Sequence, residues 1–266
     1  MRTRTAQARE GSGEMMKDGG AELPGEGEAL RLLREQTDLR MHEFVARLAH
    51  ELRTPLGAIL MWAHVLRTGS DADRTTALNA IDASARAQSK MIGHLLDVSR
   101  ALAGRLRIDL SPLDLRDPFR SAADVGAGLA RERAITFVVE TGTGSFSIEG
   151  DSQRIHDSIA SLVDNAIKFT ADGGAVALEL VQVGDEARVV VRDNGRGLAP
   201  EDLRDVFTPF RLLGDAKIRP MGGLGVSLAL VRLVAELHGG TAIARSEGVG
   251  RGAEFTLVLP LAHAAG

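Results

Sequence analysis

The sequence contains no cysteine, no tyrosine and few aromatic residues, and each absence excludes a class of protein or site. Without cysteine the chain has neither disulfide bonds nor thiolate metal sites, which fits a reducing compartment. Aromatic residues make up 3% of the chain, so stacking platforms for single-stranded nucleic acid have little to build on. The net charge of −4 gives no whole-chain signal for binding to nucleic acid or to an anionic membrane.

Long apolar runs are also missing. No segment approaches the ~20 apolar residues that span a bilayer, and the longest stretch, PLGAILMWAHVL, contains a histidine. The first residues are polar and glycine-rich and lack the apolar core of a signal peptide. Hydrophobic residues make up 44% of the 266 residues, as in globular proteins. We therefore expect a cytoplasmic protein without membrane insertion, with a mobile polar tail over residues 1–28.

Residues 29–102 have the apolar spacing of two heptad helices separated by a short polar break, RTGSDAD. Two such helices joined by a short loop predict an antiparallel hairpin. One hairpin covers only one side of its own seam, so we expect two copies to pair as a homodimeric four-helix bundle. The two seams are Met41, Val45, Leu48, Leu52, Pro55, Ile59, Trp62 and Leu66, and Leu78, Ile81, Ala85, Gln88, Ile92, Leu95, Ser99 and Leu102.

After a linker at residues 103–110, the pattern changes over residues 111–262. Short strand patterns such as ITFVVE, AVALELVQV and EARVVVRDN alternate with helical stretches near 152–169 and 225–238. The turn at Gly184 and Asp185 indicates a hairpin. Clustered hairpin strands with a few helices predict an α/β sandwich of the α+β class and not a doubly wound parallel sheet.

The histidine in the segment ARLAHELRTPLGAI is predicted to face solvent. His50 lies two residues after Leu48 and two before Leu52, and each step of two rotates a helical side chain by roughly 200°. This places His50 opposite the seam. A lone histidine there would be an ordinary surface residue.

The neighbours of this histidine favour a chemical role. Glu51 can hold one ring nitrogen protonated and leave the other free to attack. Pro55 cannot donate to the carbonyl of Glu51, so we expect the helix to kink or loosen there. Thr54, one turn further, adds a hydroxyl near the same face. Together these residues indicate an exposed, oriented nucleophile.

Two motifs of the second region combine polar side chains with a helix face or with a glycine turn. In DSIASLVDNAIKFT, Asn165 and Lys168 share a helix face; an amide oxygen suits Mg²⁺ and an ammonium group suits phosphate. In RDNGRGL, Asp193 ends a strand, and Gly195 and Gly197 allow a tight turn. Taken singly, the first could be ordinary helix surface and the second a simple turn.

Two further motifs are less specific. VFTPF contains Phe210, which could equally be a core residue, and the polar stretch after it resembles a closing lid. In RPMGGLGVSLALV, Gly222, Gly223, Leu224 and Gly225 precede an apolar helix, whose free N–H groups favour phosphate. The spacing does not follow the P-loop pattern.

The segment HELRTPL resembles the phosphoacceptor box of bacterial two-component sensor histidine kinases. The later segments resemble the family's remaining boxes in order, and GVGRGAEFTL resembles its terminal box, so the similarity covers about residues 35–262. The resemblance implies a dimerisation and phosphoacceptor hairpin followed by an ATP-binding domain of the GHKL (Bergerat) type. It also implies ATP and Mg²⁺ as cofactors.

The resemblance implies a role for each site residue. His50 would accept the γ-phosphoryl group of ATP, Glu51 would activate it, and Thr54 would help to position water for dephosphorylation of the partner. The residues implied for the nucleotide are Asn165 for Mg²⁺, Lys168 for phosphate, Asp193 for the adenine amino group, Gly195 and Gly197 for the turn, Phe210 beside the lid, and Gly222, Gly223, Leu224 and Gly225 for the phosphate loop.

The implied partner is the aspartate of a response-regulator receiver domain on a separate protein, with an upstream sensor protein as a source of the signal. Two positions depart from the family pattern. Ser161 stands where an asparagine is usual, and Ala253 where serine or threonine is frequent.

Two other functions remain open on the sequence alone. The chain could be a response-regulator phosphatase or docking scaffold that uses nucleotide only to set its shape. It could also be a related ATPase of the same pocket class, such as a chaperone or repair protein, which would not need His50. The remaining histidines, including His94 and His238, show no surrounding constellation in the sequence, and His238 is expected to lie as a cation at a helix end.

Overall fold

The computed structural model of the chain describes residues 26–68, 71–211 and 224–262. The expected tail therefore falls largely outside the described residues, as do Gly222, Gly223 and most of the predicted lid. The chain divides into two compact units, Met1–His42 and Glu43–Gly266. Of the first unit, the structure describes the backbone of residues 26–42, which is helical.

Two long helices form the first part of the fold. Helix α1 spans Glu26–Thr68 and continues through Pro55, so the proline does not end it. Helix α2 spans Asp71–Leu102. Phe44 and Leu48 of α1 share an apolar cluster with Met91, Leu95 and Val98 of α2, so the start of α1 in the second unit packs against the end of α2. This arrangement confirms the predicted helical hairpin.

The hairpin leaves apolar side chains exposed in the single chain. Val45, Leu78 and Ile92, three of the predicted seam residues, are among them, and each is about half exposed. Among the described side chains of these two helices, Leu56, Leu60, Met61 and Leu96 are exposed as well.

The second part of the fold is a five-stranded sheet, in the order β2-β4-β5-β7-β6, with a separate two-stranded sheet, β1-β3. The pair β2 and β4 is parallel, and the other neighbouring pairs are antiparallel. The strands are β1 Ser111–Asp114, β2 Thr136–Thr141, β3 Ser147–Gly150, β4 Ala175–Val183, β5 Glu186–Asp193, β6 Thr241–Arg245 and β7 Ala253–Pro260.

Helices α3 (Arg116–Glu132), α4 (Ser152–Phe169) and α6 (Ser227–Leu237) accompany the sheet, with the short α5 (Pro200–Leu203) between β5 and α6. Their apolar faces and the inner face of the sheet form one core, which includes Ile159, Leu178 and Leu257. Alternating burial along β4 and the amphipathic pattern of α4 explain why these elements could be predicted. The α/β sandwich is confirmed.

Helix α3 was not predicted, although its residues have an amphipathic pattern, and its buried face contains few large apolar side chains. That face is built largely from small residues, including Ala122, Ala123 and Gly126. A Cβ atom at Gly126 would meet the side chain of Val163 on α4, so the missing side chain allows the two helices to pack closely. Small residues therefore replace the large apolar stripe that marks most core-facing helices.

Among the described helices, none combines the length and the apolar character that crossing a bilayer requires.

Candidate functional site

A cavity of about 310 Å³ lies between α2 of the hairpin, α4, the end of β5 and the start of α6. Its size falls in the range of about 300–1,000 Å³ that is typical of ligand pockets. Asn165, Lys168, Asp193, Gly197 and Leu224 line it, and Gly225 lies in the same wall. Residues from three distant sequence motifs are therefore brought together in one place.

Helix α4 carries the first group of polar side chains and begins at a well-defined cap. Asp151 is the N-cap residue, and its carboxylate accepts a hydrogen bond from the N–H of Arg154 at 3.1 Å. Ser161, Asn165 and Lys168 then lie three and four residues apart, which places them on the same face towards the cavity.

The cap is supported by His238, whose expected positive charge is not what the ring contacts indicate. His238 is buried, and its Nε2 accepts a hydrogen bond from the N–H of Asp151 at 2.9 Å. Its Nδ1 lies 2.7 Å from the carbonyl oxygen of Val234, so that nitrogen must carry the proton and donate it. The expected position at a helix end is confirmed, because His238 follows α6, but the ring is a neutral link between α6 and the start of α4 and not the expected cation.

Asp193 lies at the end of β5, where two backbone N–H groups face its carboxylate. Gly195 donates to Oδ1 at 2.9 Å, and Ala253 supplies a second backbone hydrogen bond. Burial nevertheless raises the pKa of Asp193, against the opposing effects of these bonds and of Arg196. Gly195 itself is not among the cavity-lining residues and acts through its N–H group.

Two basic side chains meet around Phe169 at the cavity wall. The guanidinium carbon of Arg196 lies 4.2 Å from the ring centroid, and the ammonium nitrogen of Lys168 lies 5.4 Å from it. Burial lowers the pKa of Lys168, while the charges of Asp164 and Glu51 act in the opposite direction. Burial also lowers the pKa of Arg196.

The glycine-rich segment before α6 closes another side of the cavity. Gly225 has a positive φ of 66°, and a Cβ atom there would press on the backbone of Arg211. Ser227 and Leu228, the first residues of α6, also line the cavity. The N–H groups at this helix end and the helix dipole favour an anion.

Phe210 does not line the cavity in the described part of the chain. Its ring lies instead 4.2 Å, centroid to centroid, from that of Phe44 on α1. Its φ of 64° is unusual for a residue with a side chain. The N–H group of Phe210 donates to the carbonyl of Gly225 at 2.9 Å, which fixes this residue beside the glycine segment.

The helix residues around His50 are arranged as predicted with respect to solvent. His50 is exposed and Glu51 is half-buried. The hydroxyl of Thr54 donates to the carbonyl oxygen of His50 at 3.1 Å, and its lone pairs remain able to accept from water. Burial lowers the pKa of Lys168, and the charge of Glu51 opposes this effect, which couples α1 electrostatically to the cavity.

Several cavity residues were missed in the sequence. Lys90 and His94 come from α2, and Arg211 from the segment after Phe210. No local motif marks them, because only tertiary contacts bring them to the cavity. The expectation that His94 has no constellation was wrong: burial and the charge of Lys90 lower its pKa, and the charges of Asp97 and Asp157 act against that effect.

Oxygen ligands for a metal are available at the cavity, although no cluster of three or more His, Asp or Glu residues occurs in the described ranges. Ser161, Asp164 and Asn165 line one wall. Mg²⁺ in nucleotide sites is commonly held by one or two protein oxygens together with substrate phosphates and water. This donor set fits that mode of binding.

Two family models match the chain over the regions just described. The model for the histidine kinase-, DNA gyrase B- and HSP90-like ATPase matches residues 150–263. The model for the His Kinase A (phospho-acceptor) domain matches residues 40–104. The first match covers strands β4 to β7 with helices α4, α5 and α6, and the second covers the hairpin from within α1 to just beyond α2.

Two curated proteins are similar to this chain over most of its length. Hybrid signal transduction histidine kinase D of Dictyostelium discoideum is 33% identical over 91% of this chain and 16% of its own length. Sensor protein GacS of Pseudomonas syringae pv. syringae is 32% identical over 84% of this chain and 25% of its own length. The chain thus spans a quarter or less of these two relatives.

A solved structure of full-length ShkA in complex with AMPPNP is also similar. It is 27% identical to this chain, with a TM-score of 0.61, and the match covers 84% of this chain and 47% of ShkA.

Proposed function

Because the chain belongs to the sensor histidine kinases of two-component systems, we propose that it transfers the γ-phosphoryl group of ATP to His50. One observation carries this proposal. The same chain presents an exposed imidazole on a helix and, separately, a cavity where Asp193, Lys168 and the start of α6 converge. The relatives' similarity and the AMPPNP complex of ShkA support ATP as the ligand.

The reaction is a direct displacement at phosphorus. The unprotonated ring nitrogen of His50 attacks the γ-phosphorus, the bond to the β,γ-bridging oxygen breaks, and ADP leaves with the bonding electron pair. The other ring nitrogen then carries a positive charge, which is relieved when Glu51 accepts its proton.

The cavity residues contribute binding and orientation. Asp193 accepts a hydrogen bond from the adenine amino group, Lys168 contacts the phosphates, and Gly225 allows the backbone to approach them closely. Asn165 would hold Mg²⁺ through its amide oxygen. When bound, this ion would supply positive charge to the phosphates. The sequence also assigns Gly222 and Gly223 to this loop.

We further propose the family's second step, transfer from phosphorylated His50 to an aspartate on a response-regulator receiver domain. Thr54 orients water for the opposing reaction, in which the phosphorylated partner is dephosphorylated. Since the reaction consumes ATP, we place it in the cytoplasm, with an upstream sensor protein controlling it.

A homodimer is part of this proposal. The exposed apolar residues of the hairpin, among them Leu60, Leu78 and Ile92, would be covered in a four-helix bundle. We assign residues 29–102 to the dimerisation and phosphoacceptor hairpin and 111–262 to the ATP-binding domain, joined by 103–110.

Incubation of the full chain with γ-labelled ATP tests the function. We expect acid-labile label on the wild-type chain and none on His50→Gln. His64→Gln is the matched control, because His64 is also exposed on α1, and it should label normally. Absence of label in the wild type would favour the docking scaffold or phosphatase. ATP turnover that is unaffected in His50→Gln would favour a related ATPase.

A further inference from the structure

One wall of the cavity is supplied by the hairpin and not by the ATP-binding domain. Ala87, Lys90, Met91 and His94 of α2 all line it. They occur at intervals of three, one and three residues, so they form one stripe along α2. None of them belongs to the sequence motifs that predict nucleotide binding.

This wall is fixed by two kinds of contact. Met91, Leu95 and Val98 of α2 pack in one apolar cluster with Leu224 and Val226. These last two residues stand on either side of Gly225, which lines the cavity. On the same stretch of α2, Asp97 pairs with Arg154 of α4 through both terminal guanidinium nitrogens. Apolar and ionic contacts therefore hold α2 against the cavity from the same side.

The α2 wall adjoins the end of the cavity that favours an anion. His94, Ser161 and Ser227 line both the main cavity and a smaller one of about 30 Å³ beside it, so they are neighbours. Ser227 is the first residue of α6, where the free N–H groups lie. Lys90 lies one turn from His94 on the same stripe of α2.

The basic side chains that line the cavity outnumber the acidic ones, which favours an anionic ligand. Lys90, Lys168, Arg196 and Arg211 line the cavity, against the carboxylates of Asp164 and Asp193. Burial and the charge of Lys90 lower the pKa of His94, so near neutral pH Lys90 is the cation on the α2 wall. Its side chain is exposed and has the length to reach into the opening.

We propose that Lys90 binds the phosphate groups of the nucleotide, so that the hairpin and the ATP-binding domain hold the triphosphate jointly. This inference rests on the proposed function and adds a phosphate-binding residue outside the family's nucleotide motifs. It also makes nucleotide affinity depend on α2 remaining against the cavity.

The test compares the affinities of the full chain for AMPPNP and for adenosine. Lys90→Ala should weaken AMPPNP binding about fivefold, as expected for one solvent-exposed charge pair, and leave adenosine binding unchanged. The loss should shrink as salt is added, since an exposed pair is screened. Lys90→Arg should restore most of the AMPPNP affinity.

Arg86→Ala is the matched control. Arg86 is a basic residue on α2 one turn before Lys90, it pairs with Asp82, and it does not line the cavity. Its loss should leave both affinities unchanged. Wild-type AMPPNP affinity in Lys90→Ala, or an equal loss of adenosine affinity, would overturn the inference. A wild-type chain that binds no AMPPNP would instead overturn the proposed function.

Discussion

Arg154 of α4 forms a two-point ion pair with Asp97 of α2, linking the hairpin to the helix that carries Asn165 and Lys168. Arg154 Nη2 donates to Asp97 Oδ1 at 3.1 Å, and Nη1 contacts Oδ2. The hydrogen bond to Asp97 raises the pKa of Arg154. The carboxylate side chain is only 12% exposed, so solvent screens this pair less than a surface pair.

Breaking this pair from one side should destabilise the chain. Arg154→Ala leaves the carboxylate of Asp97 buried with only Arg100 at 3.9 Å, so we expect a loss of about 2–3 kcal/mol in the free energy of unfolding. Urea unfolding measures this loss, and hydrogen exchange of the α2 amides should increase. The double variant Arg154→Met with Asp97→Leu should cost less than Arg154→Ala, because no charge is left buried. An equal or larger loss in the double variant would contradict this account.

Gly197 cannot carry a side chain without distorting the cavity wall. Its φ is 64°, and a Cβ atom there would overlap the carbonyl oxygen of Gly248. We expect Gly197→Ala to lower the free energy of unfolding by about 2–4 kcal/mol and to weaken AMPPNP binding.

Gly250→Ala separates backbone strain from overlap. Gly250 has a similar φ of 78°, but a Cβ atom there meets nothing within 4 Å. Only the left-handed conformation is penalised, by about 1–2 kcal/mol. Equal losses of stability in the two variants would show that the contact with Gly248 is not what restricts Gly197.

Adenosine binding should weaken on acidification because of Asp193. Burial raises the pKa of this carboxylate, so it is neutralised at a higher pH than an ordinary aspartate and no longer accepts strongly from the adenine amino group. The folded chain binds this proton more tightly than the unfolded chain, so at this group acid favours folding. Protonation of Asp193 by itself therefore does not unfold the chain.

Titration with adenosine, which has no phosphate to protonate, measures this effect between about pH 8 and pH 5. Asp193→Asn should bind about tenfold more weakly at neutral pH, because a neutral acceptor forms a weaker hydrogen bond, and should show a flatter pH profile. A variant with the same pH profile as the wild type would assign the effect to another group.

His238 should stabilise the start of α4. His238→Phe removes the acceptor of the Asp151 N–H group, and we expect a loss of about 1–3 kcal/mol in the free energy of unfolding. His238→Gln, whose amide oxygen can also accept, should lose less. His64→Phe on exposed α1 is the control and should change stability by no more than about 0.5 kcal/mol. Equal stability of the Phe and Gln variants would rule out the hydrogen bond as the cause.

The periodic elements could be predicted because each has a local cause. Heptad spacing indicated α1 and α2, and alternation with a glycine turn at Gly184 indicated the hairpin of β4 and β5. Helix α3 was not predicted although its pattern is amphipathic, and its close packing on α4 through small residues such as Gly126 is a property of two surfaces and not of one segment.

The sequence by itself determined which residue types suit the proposed nucleotide and phosphoacceptor chemistry, and that His50 faces outward, because helix periodicity and motif order are local properties. Only the tertiary structure decided that Lys90 and His94 of α2 line the cavity, that Phe210 contacts Phe44, and that His238 is a buried neutral link. Those relations join residues far apart in the chain. They depend on how the hairpin packs against the sheet domain, and no local spacing encodes that packing.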